Sequence, residues 1–318
     1  MDFRGKRIVL KSEYHAETTI IDCGGSQEAS HRAFVLESGE GNETVIEGFT
    51  IRNGFARDDL DYPAGGALFC NRTAPTIKNC IFSGNLAAYG GAIACYNGAA
   101  PLISYCVFEL NSGETAGGAV FCDNSSPVIS NSTFARNQAM NIWENRGGGI
   151  ALVNESQPYI GYNIIAFNNG GGAVYCADFS NPFVVCTDIC SNIGGDWDEC
   201  IAGMNDYLGN FSENPLFKDP SAGNYDLDLD SPCAPVNNSC NALIGARAAV
   251  AYICGDADDS GSINLLDITF IIKYLYAGGS APADPAVMDA DGDGSVNILD
   301  VIYLIRYIYM EGPAPICT

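Results

Sequence analysis

Basic side chains are scarce in this chain. Its 318 residues hold 15 Lys and Arg against 38 Asp and Glu, a formal charge of −23, with only two histidines, His15 and His31. A nucleic acid or a polyuronate would be repelled at long range unless calcium bridged it, so no nucleic-acid partner is expected. The few cations are also dispersed. Arg52, Arg57, Lys78 and Arg136 do not share one position in the repeat set out below, so the basic cluster that a polysaccharide lyase needs beside acidic calcium ligands is missing. No catalytic residue is assigned. A glycosidase needs two carboxylates about 5 to 10 Å apart; Asp58, Asp59 and Asp61 in FARDDLDYP are open to that reading or to that of a solvated turn. No apolar run of roughly 18 residues occurs, which excludes a membrane-spanning helix. The opening MDFRGKRIVLKSEYH carries charges where an export signal needs an apolar core, so no such signal is expected there.

Glycine, asparagine and cysteine, by contrast, recur in order. Gly-Gly before small or apolar residues is found in GGALFC from Gly65, GGAIAC from Gly90, GGAVFC from Gly117, GGIALV from Gly148 and GGAVYC from Gly171. A proline follows each, at Pro75, Pro101, Pro127, Pro158 and Pro182, and an asparagine stands ten residues after every proline, at Asn85, Asn111, Asn137, Asn168 and Asn192. Units of 23 to 31 residues are too short to fold alone and must stack. β-Branched and aromatic residues alternate with polar ones in strings such as APTIKNCIF and SPVISNSTF, so the units are built of strands. Ile77, Ile103, Ile129, Ile160 and Val184 then form one inward ladder. The asparagines suit turn positions that tolerate left-handed backbone and bond to the next rung. An earlier rung, ETVIEGFTIRN, is expected to end at Asn53, and about eight rungs would make a rod on the order of 40 Å long.

The fourteen cysteines partly follow this ladder. Cys70, Cys95, Cys122 and Cys176 share a column in which Val153 replaces one thiol, and Cys80 and Cys106 share another. Consecutive members of a column cannot all pair, so some are buried free thiols. Cys186, Cys190, Cys200, Cys233 and Cys240 fall in loops, and Cys233 with Cys240 is the expected bridge there. This cysteine usage points to an oxidising, extracellular setting. The connections between an asparagine and the next Gly-Gly are long at 54–64 and 138–147, which places Tyr62, Tyr89 and Trp143 along one edge. That edge is a stacking platform for a polysaccharide, a contact for a neighbouring subunit, or mere variation in coil length.

The last part of the chain carries two copies of a different unit, 33 residues apart. Oxygen side chains fall at loop positions 1, 3, 5, 9 and 12, as Asp256, Asp258, Ser260, Asn264 and Asp267 and again as Asp289, Asp291, Asp293, Asn297 and Asp300. Ser262 and Ser295 offer carbonyls at position 7. This spacing wraps a loop around one hard cation, so two Ca2+ are expected, the second site with four carboxylates against three in the first. Gly261 and Gly294 occupy the sharp turn. Each loop runs into an amphipathic helix, LLDITFIIKYLY or ILDVIYLIRYIY.

Both regions have relatives. The rungs from about Ile8 to Ala248 resemble right-handed parallel β-helix proteins with pectate-lyase-like coils. The duplicated loop and helix, with Asp instead of Glu at position 12 and no full helix ahead of either loop, resembles a type I dockerin over 254–318. The expected fold is therefore mainly β: a right-handed parallel β-helix solenoid over 1–248, a connector at 249–253, and a small all-α calcium-binding domain. The dockerin resemblance implies a cohesin-like partner read by Leu265, Leu266 and Lys273 in one copy and Ile298, Leu299 and Arg306 in the other, unless the leucines and isoleucine merely cover the helix pair. A two-fold arrangement of the copies brings the ends of the module together and joins Cys254 to Cys317. Three roles follow: a secreted, non-catalytic module tethered to a cohesin at a cell surface; a subunit that binds another copy of itself into a filament; or an anchored polysaccharide lyase or glycoside hydrolase.

Overall fold

The computed structural model describes residues 1–57, 62–140, 146–250, 253–282 and 285–317. It divides into two compact units, Met1–Leu216 with Asp230–Ala248, and Phe217–Leu229 with Ala249–Thr318.

The first unit is a parallel β-solenoid. One sheet stacks Val9–Lys11, Val45–Glu47, Thr76–Lys78, Leu102–Ser104, Val128–Ser130, Tyr159–Gly161 and Phe183–Val185; a second stacks Ile20–Asp22, Thr50–Arg52, Ile81–Ser83, Val107–Glu109, Thr133–Ala135, Ile164–Ala166 and Asp188–Cys190. A third runs from Phe34–Leu36 through Leu68–Asn71, Ile93–Tyr96, Val120–Asp123 and Ile150–Val153 to Val174–Cys176. Among the described residues these three sheets thus hold six or seven strands, a fourth parallel sheet stacks Phe55–Ala56, Leu86–Tyr89, Ser112–Ala116 and Gln138–Ala139, and the coil makes about six turns rather than the eight expected.

Register explains the core. Ile46, Ile77, Ile103, Ile129, Ile160 and Val184 stand directly on one another and are buried. Beside them Phe82, Phe108 and Phe134 stack with centroids 5.0 and 4.5 Å apart and rings 6° from parallel. Each coil is too thin to bury these side chains alone, and only stacking removes them from water.

The asparagine column is the polar part of this interior. Asn85, Asn111, Asn137 and Asn168 are fully buried, and each side-chain oxygen accepts both the backbone N–H and the amide N–H of the asparagine one coil earlier, at 2.9–3.1 Å where such a neighbour exists. The left-handed residue is not the asparagine, as expected, but the one before it: Gly84, Leu110, Arg136, Phe167 and Ser191 have φ of 63°, 55°, 60°, 59° and 58°. Asn53 therefore occupies the left-handed place, at φ 54°, and Gly54 stands on the ladder, donating its N–H to Asn85.

Two further expectations change with register. Ile150 pairs with Val120, which aligns Gly147, not Gly148, with Gly65, Gly90 and Gly117; all four have φ between 63° and 73°. Three successive glycines hid that one-residue step. Leu152, rather than Val153, then fills the cysteine column between Cys122 and Cys176. Cys70, Cys95 and Cys122 are stacked, buried and unbonded, as are Cys80 and Cys106. Burial pushes the Cys70 thiol well above its ordinary value.

Irregular segments finish the solenoid. Ile201, Trp197 and Met204 pack on the same core, and Cys200 is bonded to Cys176. The expected Cys233–Cys240 bridge is not formed. Cys240 pairs with Cys186, whereas Cys233 is fully buried with its thiol on Asp188, so burial at a different point of the coil separates the two near neighbours in sequence. The chain after Cys240 then runs back along one corner, through Gly245 N–H to the Tyr162 carbonyl and Ala246 N–H to the Thr133 hydroxyl, to an ion pair of Arg247 with Glu17.

The second unit holds an antiparallel hairpin, Phe217–Asp219 with Asn224–Leu227, and two helices, α1 (Leu265–Tyr276) and α2 (Ile298–Tyr309). No helix among the described residues is long and apolar enough to cross a membrane.

Candidate metal centre

The two loops are shaped by the same few hydrogen bonds. Asn264 lies in extended backbone immediately before α1, its side chain accepts from Leu266 N–H at 2.8 Å, and Asp267 reaches back to Asn264 N–H at 2.7 Å. This reciprocal cap satisfies orphan donors at the helix start. Asn297 and Asp300 repeat it at α2, with bonds of 2.8 and 2.7 Å. The position-12 aspartates therefore begin a helix and close a loop at once, since Asp267 also accepts from Asp258 N–H at 3.1 Å and Asp300 from Asp291 N–H at 3.3 Å.

The first carboxylate of each loop does the opposite end. Asp256 accepts from Ser260 N–H and Gly261 N–H, and Asp289 from Asp293 N–H and Gly294 N–H, at 2.7–3.1 Å. Gly261 and Gly294 both have φ +84°, and a Cβ on either would meet nothing within 4 Å. The turn therefore needs glycine for its backbone conformation and not for lack of space.

What converges is a set of carboxylates. Oxygens of Asp256, Asp258 and Asp267 lie within 4.8 Å of one another, as do those of Asp289, Asp291 and Asp293. Burial raises the Asp267 carboxyl to about 6, with the Asp258 charge adding to it; burial also raises Asp291, with Asp300, Asp293 and Asp289 acting the same way. Like charges held this close are relieved by a divalent cation, and all-oxygen donors suit calcium. The residues fit that ion. The position-9 side chains face elsewhere: the Asn264 amide donates to the Ser262 carbonyl at 3.0 Å and the Asn297 amide to Ser295 at 2.8 Å, so positions 7 and 9 are bonded to each other. Ser260 points its hydroxyl at Asp256 and at the Ser262 carbonyl.

The loops are held by a small core of Ile268, Ile271, Val301 and Leu304 with Ala257, Val287, Met288 and Ala290. The chain ends of the module cross beside it, where Gly255 N–H bonds the Val287 carbonyl, Ile316 N–H bonds Ala290, and Cys254 is bonded to Cys317. Leu265, Leu266, Ile298 and Leu299 take no part in this core. They are 52%, 60%, 42% and 51% exposed, and Lys273 and Arg306 are exposed on the same helices.

On the solenoid, Tyr62 stacks on Phe69 at 4.6 Å and Tyr89 packs on Phe121 at 4.9 Å, with Tyr96 near both phenylalanines. These rings cover the outer face of the third sheet. Trp143, Asp58, Asp59 and Asp61 lie outside the described residues. Of the dispersed cations, Arg52 pairs with Asp22, Arg57 with Glu114, and Lys78 shares Glu47 with Lys11.

Residues 8–196 match the family described as the right handed beta helix region, and residues 254–309 match the dockerin type I domain. No curated protein and no solved structure matches the chain.

Proposed function

Because the chain belongs to the right-handed β-helix family and carries a type I dockerin domain near its C-terminal end, we propose that it is a non-catalytic rod tethered to a cohesin-like domain in an extracellular or cell-surface assembly. The dockerin holds two Ca2+ in this reading, one in each loop, and each ion fixes the start of one helix.

The observation that carries the reading is the matched pair of exposed faces. Leu265, Leu266 and Lys273 on α1 correspond to Ile298, Leu299 and Arg306 on α2, and both sets stand outside the apolar core. Apolar side chains on a small calcium-held module, each with a cation two turns along, suit a partner surface that is apolar at its centre and acidic at its rim. The ion pairs around Arg52, Arg57 and Lys78 support a structural role for the rod, because those cations are engaged by its own carboxylates.

The test is binding of the full chain to a panel of cohesin domains by calorimetry, in millimolar calcium and in chelator. Binding to at least one member is expected only with calcium, and the substitutions L265D, L266D, I298D and L299D together should weaken it by more than about 100-fold, since buried charge replaces apolar contact. Undiminished binding by that variant would remove these faces from the interface. Light scattering of the chain alone reads the alternative partner: a calcium-dependent high-mass species would make that partner another copy of this protein.

A further inference from the structure

Apart from exchanges of one aliphatic residue for another at positions 8 and 10, the two calcium loops differ at one place that is not a ligand position. Position 4 is Asp259 in the first loop and Gly292 in the second, and both have left-handed backbone, at φ +53° and +71°. Glycine adopts that conformation without penalty, whereas a side chain resists it. In the first loop the resistance is met from outside. Lys218 of the hairpin pairs with one carboxylate oxygen of Asp259 at 3.3 Å, and Asn224 donates its amide to the other at 2.7 Å. The Lys218 side chain is 1% exposed, so this is a buried cation, and Asp259 is one carboxylate that compensates it. Asp219, Ala222 and Asn224 line the same cleft as Asp256 and Asp258.

Resting on the calcium reading above, we infer that the hairpin Phe217–Leu229 is a clasp for the first calcium loop, with Lys218, Asn224 and Asp259 as its positioning residues. The clasp holds Asp259 in the left-handed conformation that a glycine adopts without strain at position 4 of the second loop, and so presents Asp256 and Asp258 to the ion. Binding at the first loop and ordering of the hairpin are then one event, while the second loop closes independently. The module's duplicated halves are thereby made unequal by a segment that lies outside the duplication. The charge arrangement agrees, because Lys218 neutralises a carboxylate that is not a ligand and leaves the three converging ones to the cation.

The experiment uses the full chain and reads two quantities: calcium uptake by calorimetry, and amide hydrogen exchange of residues 217–229 in calcium and in chelator. The unaltered chain should take up two ions and slow hairpin exchange at least tenfold when calcium is added. D259G should keep first-loop affinity within about threefold, because glycine needs no clasp, yet lose the calcium-dependent protection of the hairpin. D259A should lower first-loop affinity about tenfold, as a strained residue without an anchor. K218M should lose the protection as D259G does. Hairpin exchange that is equal in calcium and chelator, or protection that survives in D259G, would overturn the clasp. A chain that takes up no calcium at all would instead overturn the reading on which it rests.

Discussion

Replacing Asn111 by alanine should cost the solenoid far more than the loss of one polar side chain suggests. The Asn111 oxygen accepts from the Asn85 backbone N–H at 3.1 Å and from the Asn85 amide at 2.9 Å, and its own amide donates to the Phe82 carbonyl and to Asn137, both at 2.9 Å. Every one of these groups is buried. Alanine leaves the Asn85 N–H without this acceptor, at about 1–3 kcal/mol, and removes three further bonds whose net worth is about 0.5–1.5 kcal/mol each. Some of their partners keep a second bond, since the Asn85 amide also reaches the Ile51 carbonyl and Asn137 still accepts Asn111 N–H. The sum is about 2–6 kcal/mol. Asn71 supplies the control: it accepts one bond at 2.9 Å from the exposed Asn97, and N71A should fall within about 1 kcal/mol of the unaltered chain. The assay is urea unfolding at saturating calcium, followed by β-sheet circular dichroism and by hydrogen exchange of the rungs between Asn85 and Asn137. An N111A protein no less stable than N71A would refute the idea that the column is an energetic spine.

Three other outcomes follow from the geometry. Chelation should abolish the helical signal of the second unit while the β signal of the first persists; simultaneous loss of both in chelator would mean that the units do not fold separately. Reducing or replacing Cys254 and Cys317, which are 63 residues apart, should cost the calcium-loaded module about 4 kcal/mol on the chain-entropy model, read as a lowered unfolding midpoint of the helices. Burial raises the Asp188 carboxyl to about 7, against the opposing bonds from Glu213 N–H and the Cys233 thiol. Its folded value lies above its unfolded one, so the neutral acid's contribution is full below about pH 4 and is lost as pH rises to about 7, on the order of 4 kcal/mol. D188N should remove that slope from the stability difference between the two proteins across this range, and an unchanged slope would assign it to other groups.

Much of the solenoid was legible because its repeat is nearly regular. The isoleucine and asparagine positions keep fixed distances from the proline of each unit, and a column in sequence becomes a column in space when every strand pairs with the same neighbour. The reading slipped where spacing was ambiguous, at Gly147 to Gly149, where three identical residues admit two registers. It also failed for Cys233, whose nearest cysteine in sequence is not its nearest in space once Cys240 turns toward Cys186. In the loops, ligand spacing named Asp256, Asp258 and Asp267 and Asp289, Asp291 and Asp293, whose oxygens converge, and also Asp300, which is not in the converging set; it did not show that Asn264 and Asn297 spend their oxygens on helix caps. The sequence places the hairpin within the solenoid, whose expected span is 1–248. It belongs to the second unit through Lys218 and Asn224, contacts that no periodicity announces.

The unbonded thiols of the interior set a problem of timing. A bridge between Cys70 and Cys95 would close a ring of nearly the same size as the one closed by Cys176 and Cys200, which are 24 residues apart, so chain entropy does not discriminate between them. Reactivity does, because a thiol shut inside the coil stays protonated and unreachable. Correct pairing under oxidising conditions thus depends on sequence of events: the coils carrying Cys70, Cys95 and Cys122 must close before the oxidant finds them. Growth from the N-terminal end meets that order, since those coils are complete before Cys176 and its partner have emerged.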